Sequence, residues 1–206
     1  MLINLIGPVA VGKTYFAQKF IERNPGFVYI SIDQERDAIY QEYIVSKKDQ
    51  KPSSDDRRTF EENAWQRLFD KCREHPFVIM ETSGLSWRLK QIIEYKPLVK
   101  KGIYTVKLIG HLDKCRTRLQ KRIAKCLNKV NDEYSFFIQL EDVLEWTHAE
   151  IGRAPHNLII NVDSDENYDI MFKEAERYII NATNKYIDRL FNNNLLESNI
   201  FKKKRK

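Results

Sequence analysis

The chain has 206 residues, 42% hydrophobic and 12% aromatic, which suits one globular domain with a substantial core. No apolar run is long enough to span a bilayer, and Cys72, Cys115 and Cys126 lack zinc-ligand spacing. A membrane-spanning protein and a zinc module are therefore excluded, and a reduced, cytoplasmic protein is expected. The net charge of +6 is mostly one tail: Lys202-Lys203-Lys204-Arg205-Lys206 carries five positive charges, and without it +6 falls to +1. Such a tail suits a polyanionic partner or a solvated end, and it does not make the body of the protein basic.

Leu2 to Ile6 is a short apolar run and predicts a buried strand. Gly7-Pro8-Val9-Ala10-Val11-Gly12-Lys13-Thr14 follows, a complete G-x-x-x-x-G-K-[ST] phosphate-binding loop. Thr14 to Arg23 then carries Phe16, Ala17, Phe20 and Ile21 at helical spacing. Strand, glycine loop and helix together turn backbone N–H groups inward at the positive end of a helix, where they cradle phosphate. Gly7 and Gly12 are expected to supply backbone freedom. Gly7, Ala10, Val11, Gly12, Lys13, Thr14 and Tyr15 are the expected nucleotide contacts. Lys13 reaches the β- and γ-phosphates, and the Thr14 hydroxyl ligates Mg²⁺.

Residues 27–32 predict a second strand and 34–45 a helix, with a polar connection over 46–56. Residues 57–73 predict a helix with the stripe Phe60, Ala64, Leu68 and Cys72. A third strand is expected at 77–80, a helix from 86 to about 96, and a fourth strand at 103–109. Residues 113–127 predict a helix, 128–134 a polar bridge and 136–150 another helix. A fifth strand at 157–162 and two closing helices, 166–181 and 183–195, complete the chain. This alternation implies an α/β fold: a parallel five-stranded sheet with helices on both faces and a helical lid. Residues 1–182 form the expected domain, and 183–206 a C-terminal helix with its basic tail.

Asp33 falls just past the second strand, at the edge where ligands of open parallel sheets gather. It suits a base that orients an acceptor hydroxyl and takes its proton, or a helix N-cap. Arg36, one turn on, suits a phosphate clamp or a surface ion pair. Glu81, ending the third strand, suits a brace for Arg36 or a lid arginine, an aid to Mg²⁺ through water, or a cap. Lys114, Arg118, Arg122 and Lys125 form one basic helix face. It reads as a lid over a triphosphate, Arg122 foremost and Arg118 second, or as an ordinary solvated face. Arg153 is a candidate to flank adenine. Trp87 follows the active-edge turn and suits base stacking or core packing. His75, His111, His148 and His156 lack metal-ligand spacing.

The run Phe20-Ile21-Glu22-Arg23-Asn24-Pro25-Gly26-Phe27, with Ile32-Asp33-x-x-Arg36, resembles the kinase domain of phage-type polynucleotide 5′-hydroxyl kinases. The resemblance continues through Val78-Ile79-Met80-Glu81-Thr82 and the lid around Arg118 and Arg122. It covers roughly residues 1–150 and is strongest in the first forty. It implies a P-loop kinase fold using ATP and Mg²⁺, with nucleic acid as acceptor. By the same resemblance Asp33 activates the 5′-hydroxyl, Arg36 contacts the acceptor's 3′-phosphate, and Arg122 stabilises the transferring group. Two departures stand out. Glu81 replaces the family's Asp, and Val162-Asp163-Ser164-Asp165 lacks the Thr of a D-x-D-x-T phosphatase, so no phosphatase activity is expected. Relatives with the same framework phosphorylate hydroxymethylated bases, nucleosides, a tRNA-linked amino acid or a nucleotide sugar. A nucleotide-driven switch is a third, different reading.

Overall fold

The computed structural model describes residues 1–47, 52–95, 102–126, 141, 143–163 and 168–203. In chain order these form β1 (Leu2–Ile6), α1 (Lys13–Arg23), β2 (Val28–Ser31), α2 (Ile32–Lys47), α3 (Ser54–Glu74) and β3 (Val78–Glu81). They continue with α4 (Ser86–Glu94), β4 (Ile103–Ile109), α5 (Leu112–Cys126), α6 (Leu144–Gly152), β5 (Leu158–Asn161) and α7 (Tyr168–Lys203). The sheet order is β2-β3-β1-β4-β5, and every pairing is parallel. The expected α/β architecture is therefore present.

Alternation along β1 explains the layering. Leu2 and Ile6 point to one face of the sheet and Ile3 and Leu5 to the other, all 1% exposed or less. On the Ile3 and Leu5 face lie Phe16 and Phe20 of α1, Cys115 of α5, and Phe172, Ala175 and Ile179 of α7. On the opposite face lie Ile39 of α2, Ala64, Leu68 and Cys72 of α3, and Leu89 and Ile92 of α4. Burying one aromatic side chain such as Phe16 or Phe20 contributes about 2 kcal/mol, so each face is held by many such terms. Asn4, the polar residue inside β1, is satisfied by the Thr82 hydroxyl, which donates to its Oδ1 at 3.2 Å.

Several boundaries differ from expectation for local reasons. α3 begins at Ser54 because Ser53 closes a capping box with Asp56: the Asp56 N–H donates to Ser53 Oγ at 3.1 Å, and the Ser53 N–H donates to Asp56 Oδ2 at 2.9 Å. The two expected closing helices are one, α7, so the boundary at 182/183 falls inside a continuous helix. No Gly or Pro interrupts that stretch, and the buried Thr183 hydroxyl donates to Ile179 O at 2.9 Å, one turn back. The polar bridge at 128–134 and the start of the helix expected at 136 lie outside the described residues, as does the end expected near 96 for α4. No described helix is long and apolar enough to cross a membrane.

Candidate active site

Parallel strands bring the ends of β1, β2 and β3 to one edge, and the site is assembled there. Gly12 enters α1 at φ 108°, in the left-handed region that favours glycine. Ala10 shares that region at φ 60° without being glycine, a local strain placed in the phosphate loop itself. Gly7 is required for space: a Cβ there would lie 2.7 Å from Leu108 O. Gly84, at φ 84° in the turn after β3, approaches β1 so closely that a Cβ would lie 2.8 Å from Ile6 Cβ.

Lys13 is folded back on its own loop, donating to Gly7 O at 3.0 Å and Pro8 O at 3.1 Å. Glu81 Oε1 stands 3.9 Å from the ammonium. Burial holds the Lys13 pKa below its ordinary value; Glu81 and Asp33 oppose that fall, while Arg122 and Arg88 reinforce it. Lys13 thus feels the charges of Asp33 and Arg122.

Glu81 is 5% exposed and accepts three interactions. The Thr14 hydroxyl donates to its Oε2 at 3.0 Å, the Tyr29 hydroxyl donates to the same oxygen, and Lys13 faces Oε1. Burial, then the Glu81 charge, holds the Tyr29 phenol far above its ordinary range, so it remains a proton donor at any working pH. Glu81 therefore braces Thr14, not Arg36 or a lid arginine. Two hard oxygen donors, a hydroxyl and a carboxylate, fit Mg²⁺. No group of three His, Cys, Asp or Glu side chains suited to a metal stands together among the described residues. A divalent ion here would thus share its coordination with phosphate and water, as Mg²⁺ does.

Asp33 lies in the first turn of α2, and its side chain is 63% exposed. Arg36 Nη1 donates to Asp33 Oδ1 at 2.9 Å, while Arg36 Nε donates to Glu61 Oε2 at 2.5 Å. Glu61 also accepts from Trp65 Nε1 at 3.0 Å and faces Arg88 at 3.9 Å. Trp87 is 44% exposed and carries the Arg88 guanidinium over its ring. Sequence reasoning missed Tyr29, Glu61 and Arg88. Arg88 is interior to α4 with Leu89 and Ile92, and its pattern alone marks it as an ordinary helix residue.

On the lid side, α5 presents Arg118 to the loop. Arg118 Nη2 donates to Asp163 Oδ1 at 2.7 Å, and its Nη1 stands 3.5 Å from Ala10 O. Asp163, also missed, accepts the His111 N–H on Oδ2 at 2.8 Å. Arg122 is exposed and makes no ion pair with a described residue, and its charge is felt at Lys13. Tyr15 is 58% exposed, with its ring centroid 5.4 Å from that of Tyr168. Arg153 is exposed at the C-cap of α6. That helix is tied to α4, since the Ser86 N–H donates to Glu150 Oε1 at 3.0 Å. Lys107, 2% exposed on β4, donates to Gly152 O and Ala154 O at 2.8 and 3.1 Å and so fixes the turn carrying Arg153.

A parallel five-stranded sheet with a phosphate loop after its first strand, helices on both faces and a basic helix over the loop is the fold of the P-loop kinases. Solved structures place it there. A candidate kinase of Chloroflexus aurantiacus superposes with a TM-score of 0.59 at 14% identity, covering 87% of this chain and 96% of that one. The shikimate kinase of Bacteroides thetaiotaomicron gives 0.51 at 20% identity, covering 87% and 98%. A gluconokinase of Sinorhizobium meliloti gives 0.52 at 16% identity, covering 90% and 95%. These likenesses establish the fold. No protein-family model matches the chain, and no curated protein matches its sequence.

Proposed function

We propose that this protein is an ATP- and Mg²⁺-dependent kinase that transfers the γ-phosphoryl group to an alcohol. The observation that carries the reading is that Lys13 follows β1 and Asp33 follows β2, at the same edge of one parallel sheet. Lys13 and the loop N–H groups hold the phosphate chain. Thr14, with Glu81 behind it, would supply oxygen ligands for Mg²⁺, which would neutralise charge on the phosphates. Asp33 receives the proton of the attacking hydroxyl once Arg36 gives up their ion pair. Arg118 and Arg122 answer the charge that develops on the transferring group, Arg118 from a fixed position against Ala10 and Arg122 from solvent.

The preferred acceptor is a polynucleotide 5′-hydroxyl. The motif resemblance and the exposed position of Asp33, open to a large substrate, support it. A small polyol is the second reading; it is supported by the names of two neighbours, a shikimate kinase and a gluconokinase.

γ-Labelled ATP offered with 5′-hydroxyl DNA, 5′-hydroxyl RNA, nucleosides and polyols tests both readings. Label in the oligonucleotides supports the first acceptor, and label in the polyols the second. Phosphate released only to water removes the kinase reading. Asp33→Asn is expected to lower turnover about 100-fold or more while ATP affinity is kept; lost ATP binding in that variant would make Asp33 structural.

A further inference from the structure

Arginines that are nine-tenths buried ordinarily have their donors engaged. Arg88 departs from this. Only 7% of it is exposed, and its Nε is shielded from solvent without a hydrogen-bond partner among the described residues. Its Nη2 stands 3.9 Å from Glu61 Oε1, beyond hydrogen-bond range. The guanidinium is held over the Trp87 indole, 4.9 Å from the ring centroid.

The neighbouring cation is already committed. Arg36 spends Nε on Glu61 and Nη1 on Asp33. Burial, then the charge of Arg36, pulls the Arg88 pKa below its ordinary value, with Asp33 and Glu61 opposing. Arg88 also acts on Lys13 through space. A buried cation with an unused donor, sharing Glu61 with the arginine that holds Asp33, has capacity for one more oxyanion.

We propose that Arg88 is the acceptor-recognition residue, binding an oxyanion group, phosphate or carboxylate, carried by the alcohol that Asp33 activates. The proposal rests on the kinase reading above and narrows its substrate to anionic alcohols. It moves the anion contact from Arg36, which the resemblance implies, to Arg88, where the unengaged donor lies. Turning the guanidinium toward the ligand brings Nε to an acceptor and leaves the Arg36–Glu61 pair intact. Trp87 then borders the bound group, so its indole reports on occupancy.

The test uses the full chain, labelled with ¹⁵N at tryptophan and saturated with Mg²⁺ and a non-hydrolysable ATP analogue, so that the phosphate loop is filled. Inorganic phosphate, acetate, thymidine 3′-monophosphate and thymidine are titrated separately, and the Trp87 indole N–H signal is followed after assignment with Trp87→Phe. Phosphate or acetate is expected to move that signal, and the one that moves it more identifies the oxyanion. Thymidine 3′-monophosphate is expected to bind about 10- to 100-fold more tightly than thymidine if phosphate is that group. Arg88→Met is expected to abolish the response while analogue affinity stays unchanged. Arg88→Lys, which keeps the charge and loses the planar fork, is expected to retain part of it. Thermal unfolding of both variants confirms that they fold. A Trp87 signal unmoved by both anions in the wild type, or moved equally in Arg88→Met, overturns the proposal. Failure of the analogue to bind the wild type removes the kinase reading and this inference together; analogue binding without an anion response removes this inference alone.

Discussion

At the scale of single residues, the longer side chain of Glu81 has a geometric use. From the end of β3 its carboxylate meets the Thr14 hydroxyl, the Tyr29 hydroxyl and the Lys13 ammonium together. Thr14 donates its proton to Glu81, so its remaining lone pairs are free for a cation. Tyr29 fixes the carboxylate rotation that allows this and is a positioning residue. Tyr29→Phe is expected to raise the Mg²⁺ concentration needed for half-maximal ATP binding roughly 10-fold. Metal-free ATP binding should change little. Calorimetric ATP titrations across a Mg²⁺ series check this, and an unchanged Mg²⁺ dependence would leave Tyr29 a packing residue. Lys13 and Thr14 were legible in the sequence because a motif of fixed spacing carries them, and the position of Asp33 because it follows the second strand. Tyr29 was not, since a tyrosine in a strand reads as core, and only strand pairing puts it beside Glu81.

At the scale of elements, α5 is fastened by a residue far along the chain. Asp163, just past β5, binds both the His111 N–H at the start of α5 and the Arg118 side chain. Burial pushes its pKa up, but Arg118, the His111 N–H and Lys114 outweigh that and hold it below the ordinary carboxylate range. A depressed folded-state pKa means that the contribution is full above the unfolded value near about 3.9 and fades as pH falls through the folded value. Asp163→Asn is therefore expected to lose about 1–3 kcal/mol at neutral pH. The gap from the wild type should narrow below about pH 4. Urea unfolding at several pH values measures both, and a gap independent of pH would deny the carboxylate this role. The helices themselves were legible from their stripes, as in Ala64, Leu68 and Cys72, each fully buried. The Ser53–Asp56 cap was equally present in the sequence, but its Ser and Asp residues also suit a turn. The Asp163–Arg118 pairing spans 45 residues, and no local pattern announces it.

At the scale of the whole molecule, alternating strands and helices made the layered sheet legible, because only a crossover helix joins neighbouring parallel strands economically. The acceptor side was less legible, since Arg36, Glu61, Trp87 and Arg88 converge from three separate helices. The site draws on β1, α1, α2, β3 and α5, so a ligand that joins them should brace the entire fold. Mg²⁺·ATP at about 100 times its dissociation constant is expected to add roughly 2.7 kcal/mol of stability. Lys13→Ala should lose most of that gain, as thermal unfolding with and without nucleotide would record. Equal gains in the two proteins would place the nucleotide elsewhere. The Lys13 ammonium, already resting on the Gly7 and Pro8 carbonyls, sets a condition on anything that enters the loop. Any newcomer must outbid two partners the lysine has at no distance. A polyphosphate chain running the length of the loop would offer oxygens in place of both carbonyls. Filling of the loop is therefore expected to show itself first as release of the ammonium from its own backbone.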